Sequence, residues 1–177
     1  MSKDTKKVAK PIVLVDIEDT VLGFKEKMTT HKIPVKLHRA ISILIFNKDK
    51  SKMLITKRTS TKPTWGGFWT NAVCTHPYPN ETYQESAKRR LFEELGFKTK
   101  LTEIFSFIYE AKMEGGVWGE CELDHVFEGA YEGSVKPDPS EIDDYEWIKL
   151  SDLRFDLKNN PNKYTPWFRI ILERIDV

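Results

Sequence analysis

A single α/β (α+β) domain, a mixed sheet covered by helices on both faces, is the fold class this sequence predicts, and three features carry it. Short β-branched runs lie on either side of one long amphipathic stretch, Glu81–Leu95. A second apolar helix follows a Thr-Pro pair near the C-terminal end. Strands interrupted by one helix and closed by another bury both faces of their sheet only if the helices lie on opposite sides. At 177 residues the chain is long enough for one domain with a sizeable core. Residues 1–10 read as a flexible basic tail and 11–177 as the domain, with no internal repeat or linker.

The elements follow in order. Ile12–Asp16 is a short apolar segment suited to a strand or a sheet edge. Ala40–Asn47 is rich in β-branched residues and stops at the polar cluster Asn47–Lys52, which predicts a buried strand, a turn and a return strand over Met53–Lys57. Ser60–Asn71 combines Pro63, Gly66 and Gly67 with three large aromatics; turn chemistry with side chains too apolar to expose predicts a structured loop. In Glu81–Leu95, Ala87, Leu91 and Leu95 recur every four residues. Asn80 is the expected N-cap, Glu81 lies in the first turn, and Gly96 ends the helix. Phe105–Ala111 and Glu122–Phe127 read as strands around a Gly115–Gly116 turn, and Tyr145–Leu150 as another. Asp156–Lys163 reads as a polar link before a last helix opened by Thr165 and Pro166, carrying Trp167, Ile170, Ile171 and Ile175.

Composition narrows the function classes. With 40% hydrophobic and 31% charged residues, the chain is a folded soluble protein rather than a disordered polymer. No run approaches the roughly 18 apolar residues of a membrane span, and Ile12–Val15 is too short for a signal-peptide core. A cytoplasmic location without a membrane partner is expected. Cys74 and Cys121 are the only cysteines, so free thiols fit better than a disulfide scaffold. The net charge of +1 conceals an asymmetry: eleven basic residues against two acidic over 25–62, and twelve acidic against three basic over 120–156. Two solvated faces explain this, as does an anion-handling region set against an acidic, metal-handling one. A nucleic-acid partner is disfavoured by the slight overall basicity and the lack of a recognition-helix pattern.

Several residues have types suited to chemistry. His125 reads as an ordinary packed or surface residue. His31, His38 and His76 either scatter or meet Glu120 and Glu122, whose two-residue spacing puts both on one face of a strand. Imidazoles with carboxylates suit zinc, manganese or iron better than calcium. Cys74, two residues before His76, is a candidate thiolate, metal ligand or buried thiol, whereas Cys121 points away from its flanking glutamates and into packing. Arg89, Arg90, Glu93 and Glu94 form i,i+4 pairs, or the carboxylates hold magnesium beside a diphosphate. Lys27, Arg58 and Lys62 are suited to phosphate contacts or to a solvated loop. No glycine-rich dinucleotide turn is present, so neither flavin nor NAD is expected.

The stretch ending at Gly96 resembles the Nudix signature, with Glu81, Arg89, Leu91, Glu93, Glu94 and Phe97 in place. Thr75 stands at its first glycine, and Arg90 replaces the first glutamate of the central run, which weakens the case for diphosphate hydrolysis. His31-x6-His38-Arg-Ala, Arg58-x3-Lys62, Trp65-x3-Trp69-Thr-Asn-x2-Cys74-x-His-Pro77, Arg89-Arg-Leu-x-Glu-Glu-Leu-Gly96 and Glu120-x-Glu122 occur in the order seen in type I isopentenyl diphosphate isomerases, which the chain resembles from about Asp16 to Trp167. Gly66 stands where proline is frequent, Cys121 where relatives carry histidine or asparagine, and the C-terminal helix is short.

That resemblance implies a Nudix-like mixed sheet sandwiched between helices and the reversible conversion of isopentenyl to dimethylallyl diphosphate. It implies His31, His38, His76, Glu120 and Glu122 as ligands of one Zn²⁺ or Mn²⁺, and Glu94 with the Cys74 carbonyl on Mg²⁺. Lys27, Arg58, Lys62 and Arg90 match diphosphate contacts, Cys74 and Glu122 the proton-transfer pair with Tyr109 assisting, and Trp167 the aromatic facing the cationic carbon. A monomer or weak homodimer is expected. A Nudix pyrophosphohydrolase and a non-catalytic metal- or diphosphate-binding module are the alternatives.

Overall fold

The central strand is β3 (His38–Phe46), an almost wholly buried run. Its parallel partner along the whole length is β8 (Gly119–Ala130), from His38 opposite Glu122 to Phe46 opposite Ala130. On the far side of β8 lies β7 (Thr102–Lys112), antiparallel. Other antiparallel partners of β3 are β1 (Ile12–Val15), β6 (Val73–Thr75) and, at its end, β4 (Lys52–Arg58). The sheet is completed by β2 (Val21–Lys25) on β1, and by β5 (Trp69–Asn71) and β9 (Ile142–Lys149) on β4. This computed structural model describes residues 11–175, so the basic tail expected over 1–10 lies outside the described residues.

Because side chains alternate across a strand, β3 feeds two cores. Ile41, Ile43 and Ile45 pack with Phe127 beneath Ala87, Leu91 and Leu95 of α2 (Tyr83–Leu95). Leu44, Phe46 and Val126 pack beneath α3 (Leu150–Asn159) and α4 (Pro166–Arg174), which supply Leu153, Trp167, Phe168 and Ile171. Each such isoleucine, leucine, valine or phenylalanine stabilises the fold by about 1.5–3 kcal/mol. The predicted layering of helices on both faces of a mixed sheet is therefore observed. No helix among the described residues is long and apolar enough to cross a membrane.

Some elements differ from expectation. Helix α2 is capped by Thr82, not Asn80. Thr82 Oγ1 accepts from the Glu85 amide at 3.2 Å and Glu85 returns the bond to the Thr82 amide at 2.9 Å, a capping box. Glu81 is thereby released to receive Arg89 on both oxygens, at 2.5 and 2.7 Å. Gly96 ends the helix as expected, at φ 75°. The expected strand over Tyr145–Leu150 starts earlier, at Ile142, and its last residue opens α3, which with a 3-10 turn at Pro161–Lys163 occupies much of the expected polar link. Leu150 and Leu153 are the only buried side chains of α3 and no side chain caps it, so its sequence carries little helical signal. The loop expected over Ser60–Asn71 ends in the short strand β5.

Candidate metal centre and active site

Parallel pairing of β3 with β8 sets His38 opposite Glu122, and alternation places Glu120 beside it on the same face. His31 arrives at the end of a short helix, α1 (Lys27–Thr30), whose N-terminus is closed by Glu26 accepting from the Met28 and Thr29 amides at 2.8 Å. His76 follows β6. One ligand atom from each of His31, His38, His76, Glu120 and Glu122 falls within 4.8 Å of all the others.

The hydrogen bonding around these rings fits a metal ion. Nδ1 of His31 donates to the Lys27 carbonyl and Nδ1 of His38 to the Lys36 carbonyl, both at 2.7 Å. Those bonds hold the Nδ1 protons and turn each Nε2 inward, the outer-shell arrangement of metal-bound imidazoles. Inside, His38 Nε2 lies 3.3 Å from His76 Nε2, which is also 2.9 Å from Glu122 Oε1. His31 Nε2 lies 2.7 Å from Glu120 Oε2, yet that contact lacks hydrogen-bond alignment and the buried oxygen has no donor. A cation, coordinated by all of these lone pairs at once, fits such gaps. Burial keeps His76 well below the ordinary imidazole range, so protons alone are a poor filling. For His31, burial opposes the charge, but Glu120 beside it raises the pKa overall.

Cys74 lies on β6 opposite Ser42 of β3, so it shares the face of His38 and Glu122. Burial, then the Glu122 carboxylate, push its pKa well up, and the group is a thiol. Glu122 is the reverse: burial opposes its charge, but His38 and His76 hold it well below the usual carboxylate range. Tyr109 of β7 stands opposite Glu122 and donates its hydroxyl to Oε2 at 2.5 Å. Burial and the same carboxylate keep that phenol protonated.

Lys27, Arg58 and Lys62 line the same small pocket as Cys74, His76, Glu122 and Trp167, where about 20 Å³ is open to a water-sized group. Although Lys27 as a residue is exposed, desolvation of its ammonium at the pocket, then Lys62 and Arg58, lower its pKa. Arg90 lines an adjoining cavity of about 180 Å³ with Lys27 and His76, while Glu94 lines neither. Burial raises the Glu94 pKa against the pull of Arg90, which donates to it at 2.5 Å. Arg58 lies over the Trp167 ring, 5.2 Å from its centroid.

Two acidic residues were not singled out in the sequence. Glu141, just before β9, pairs with Lys62 and accepts from Arg90 at 3.0 Å. Burial opposes its charge, but Lys62 and Arg90 bring its pKa down to about 2. Asp124 continues the alternation of Glu120 and Glu122 but lies outside the ligand cluster, accepting from Ser42 Oγ at 2.7 Å. Burial, then Glu122, push its pKa well up. That alternation was a visible signal for Asp124; nothing local marked Glu141. The expected i,i+4 pairs of α2 form, Arg89 with Glu93 at 3.0 Å and Arg90 with Glu94. His125 lies outside the cluster as expected, stacked on Tyr83 and 2.7 Å from Glu103.

The NUDIX domain family matches residues 36–168. An isopentenyl-diphosphate Delta-isomerase 2 from Aromatoleum aromaticum is 40% identical over 164 residues, covering 93% of this chain and 85% of that protein. One from Photorhabdus laumondii is 40% identical over 161 residues, covering 91% and 89%. Among solved structures, a Deinococcus radiodurans protein superposes with a TM-score of 0.76 at 16% identity, covering 93% of this chain and 98% of its own. The MutT protein of Methanosarcina mazei gives 0.63 at 21%, covering 78% and 91%. The structural likenesses bear on the fold, and the sequence relatives on the family. This chain carries a NUDIX domain and belongs to the isopentenyl-diphosphate Delta-isomerase family.

Proposed function

We propose that this chain interconverts isopentenyl diphosphate and dimethylallyl diphosphate, and so supplies isoprenoid precursors. The observation that carries the proposal is one pocket shared by a protonated thiol, Cys74, and an ionised carboxylate, Glu122, under a rim of Lys27, Arg58 and Lys62. Moving a double bond by one position requires one proton to arrive at a terminal carbon and another to leave C2. Two groups in opposite protonation states, held close together, supply that exchange without moving the substrate far.

Lys27, Arg58, Lys62 and Arg90 anchor the diphosphate, arginine by its fork and lysine as a compact charge. In the forward direction a proton carried on the Glu122–Tyr109 side is delivered at C4, and Cys74, as thiolate, accepts the one from C2 and becomes the thiol. The protein by itself holds thiol and carboxylate, the state that forward turnover leaves behind and from which the reverse reaction starts. Trp167 faces the cationic carbon, and its π face offsets charge there by about 1–2 kcal/mol. His31, His38, His76, Glu120 and Glu122 would hold Zn²⁺ or Mn²⁺, and Glu94 with the Cys74 carbonyl would hold Mg²⁺. The bound ions supply positive charge that orients Glu122, tunes its proton affinity and offsets diphosphate charge. The five candidate ligand side chains form their cluster without a residue from a second copy, and a monomer or weak homodimer is the assembly proposed.

Isopentenyl diphosphate incubated with the protein, Mg²⁺ and Zn²⁺ or Mn²⁺, and followed by NMR, is expected to give the allylic isomer with no released phosphate. Phosphate release without double-bond migration would instead identify a hydrolase, against which Arg90 in place of the signature glutamate already argues.

A further inference from the structure

The pocket around Cys74 and Glu122 has about 20 Å³ open to a water-sized group, room for about one water. A branched hydrocarbon tail seated there would press on the side chains of the wall. Trp167 is the one large apolar side chain in that wall. Its Nε1 is buried without a hydrogen-bond partner, so no polar bond pins the ring; packing alone sets its position. Arg58 lies over one part of it and Tyr109 beside it, 6.3 Å between centroids. Behind it stands Trp65, edge to face, with centroids 5.5 Å apart and planes at 84°.

Trp65 is itself held firmly. Its backbone is left-handed at φ 45°, an unusual state for a bulky residue, and its amide donates to Met113 Sδ at 3.4 Å. The loop folds tightly just after it: a Cβ on Gly66 would lie 2.6 Å from the Lys62 carbonyl oxygen. On its outer side Trp65 lines a separate cavity of about 440 Å³, bounded also by Phe68, Met113 and Tyr164. The Trp65 indole thus packs against Trp167 on one side and borders this open cleft on the other.

We propose that Trp65 is a positioning residue that sets the depth of the hydrocarbon pocket, by backing Trp167 and so limiting the alkyl group admitted at the branched alkene carbon. The ligand class affected is homoallylic diphosphates carrying ethyl or propyl in place of methyl at that carbon. The proposal rests on the isomerase function proposed above.

The test compares kcat/KM for isopentenyl diphosphate and its 3-ethyl homologue in the metal-loaded wild type, Trp65→Phe, Trp65→Leu and Trp65→Ala. The wild type is expected to disfavour the extra methylene by about 10- to 200-fold. Trp65→Ala is expected to shrink that ratio by about 10-fold or more, mainly through a lower KM for the homologue, with Trp65→Leu intermediate and Trp65→Phe close to wild type. A merely structural tryptophan would lower both substrates equally, and an unchanged ratio in folded Trp65→Ala, or in Trp65→Leu should the alanine variant not fold, overturns the proposal. A wild type that fails to isomerise isopentenyl diphosphate overturns the underlying function as well, so the two failures are distinct.

Discussion

In the proposed mechanism Glu122 carries two demands at once, as a member of the candidate ligand cluster and as half of the proposed proton-transfer pair. Its surroundings divide the work between its oxygens: Oε1 faces His38 and His76, and Oε2 receives Tyr109. Cys74→Ala and Glu122→Gln are each expected to cut isomerisation by about 10²- to 10⁴-fold, the usual share of one acid–base group, while circular dichroism reports an intact fold. Cys121→Ala is expected to keep activity within the same order of magnitude, because Cys121 points to the other face of β8; a loss matching that of Cys74→Ala in a folded protein would mean the wrong thiol has been assigned. At this scale the sequence was informative where spacing is short. Two-residue alternation located Glu120 and Glu122, and extended by one step it would have located Asp124. Glu141 was hidden because its meaning lies in Lys62 and Arg90, neither of which is near it in the chain.

Among the elements, α2 was the most legible, since its four-residue apolar repeat faces a real core and Gly96 ends it. Its start was misplaced by two residues because Asn80 and Thr82 both suit an N-cap, and the deciding signal was Glu85 three residues beyond Thr82. The three-residue strands β5 and β6 and the weakly amphipathic α3 depend on tertiary pairing, which periodicity does not report. Glu141 ties α2 to the entry of β9 through Arg90 and to the loop after β4 through Lys62. Its folded pKa of about 2 lies below the ordinary glutamate value of 4.5, so its contribution is present above the unfolded value and is lost as pH falls through the folded one. Glu141→Gln is expected to cost about 1–2 kcal/mol at pH 7, the linkage figure reduced because the pair is partly exposed to solvent. The deficit should shrink between pH 4.5 and about 2. Urea unfolding at the two ends of that window checks this; an equal deficit at both would mean the ion pairs do not stabilise the fold.

For the whole molecule, the uneven charge along the chain resolves into one site and several surface pairs. Lys27, Arg58 and Lys62 from the basic stretch meet Glu120, Glu122 and Glu141 from the acidic one, whereas Lys48 with Glu132 and Lys50 with Glu128 are peripheral. The parallel pairing of β3 with β8 brings the stretches together across more than seventy residues of chain. Spacing cannot reveal such a register, so the sequence left open whether the histidines and glutamates meet. Pairing of β6 with β3 brings Cys74 to the same pocket as Glu122, and proton exchange with solvent is the most direct test of the proton transfer proposed for that pair. Isopentenyl diphosphate is converted in D₂O by the metal-loaded protein, and NMR follows deuterium in the product. Deuterium entering the new methyl group of the allylic diphosphate, with the diphosphate intact, is the predicted result; an allylic product formed in D₂O without deuterium, or loss of phosphate with the double bond unmoved, would contradict it.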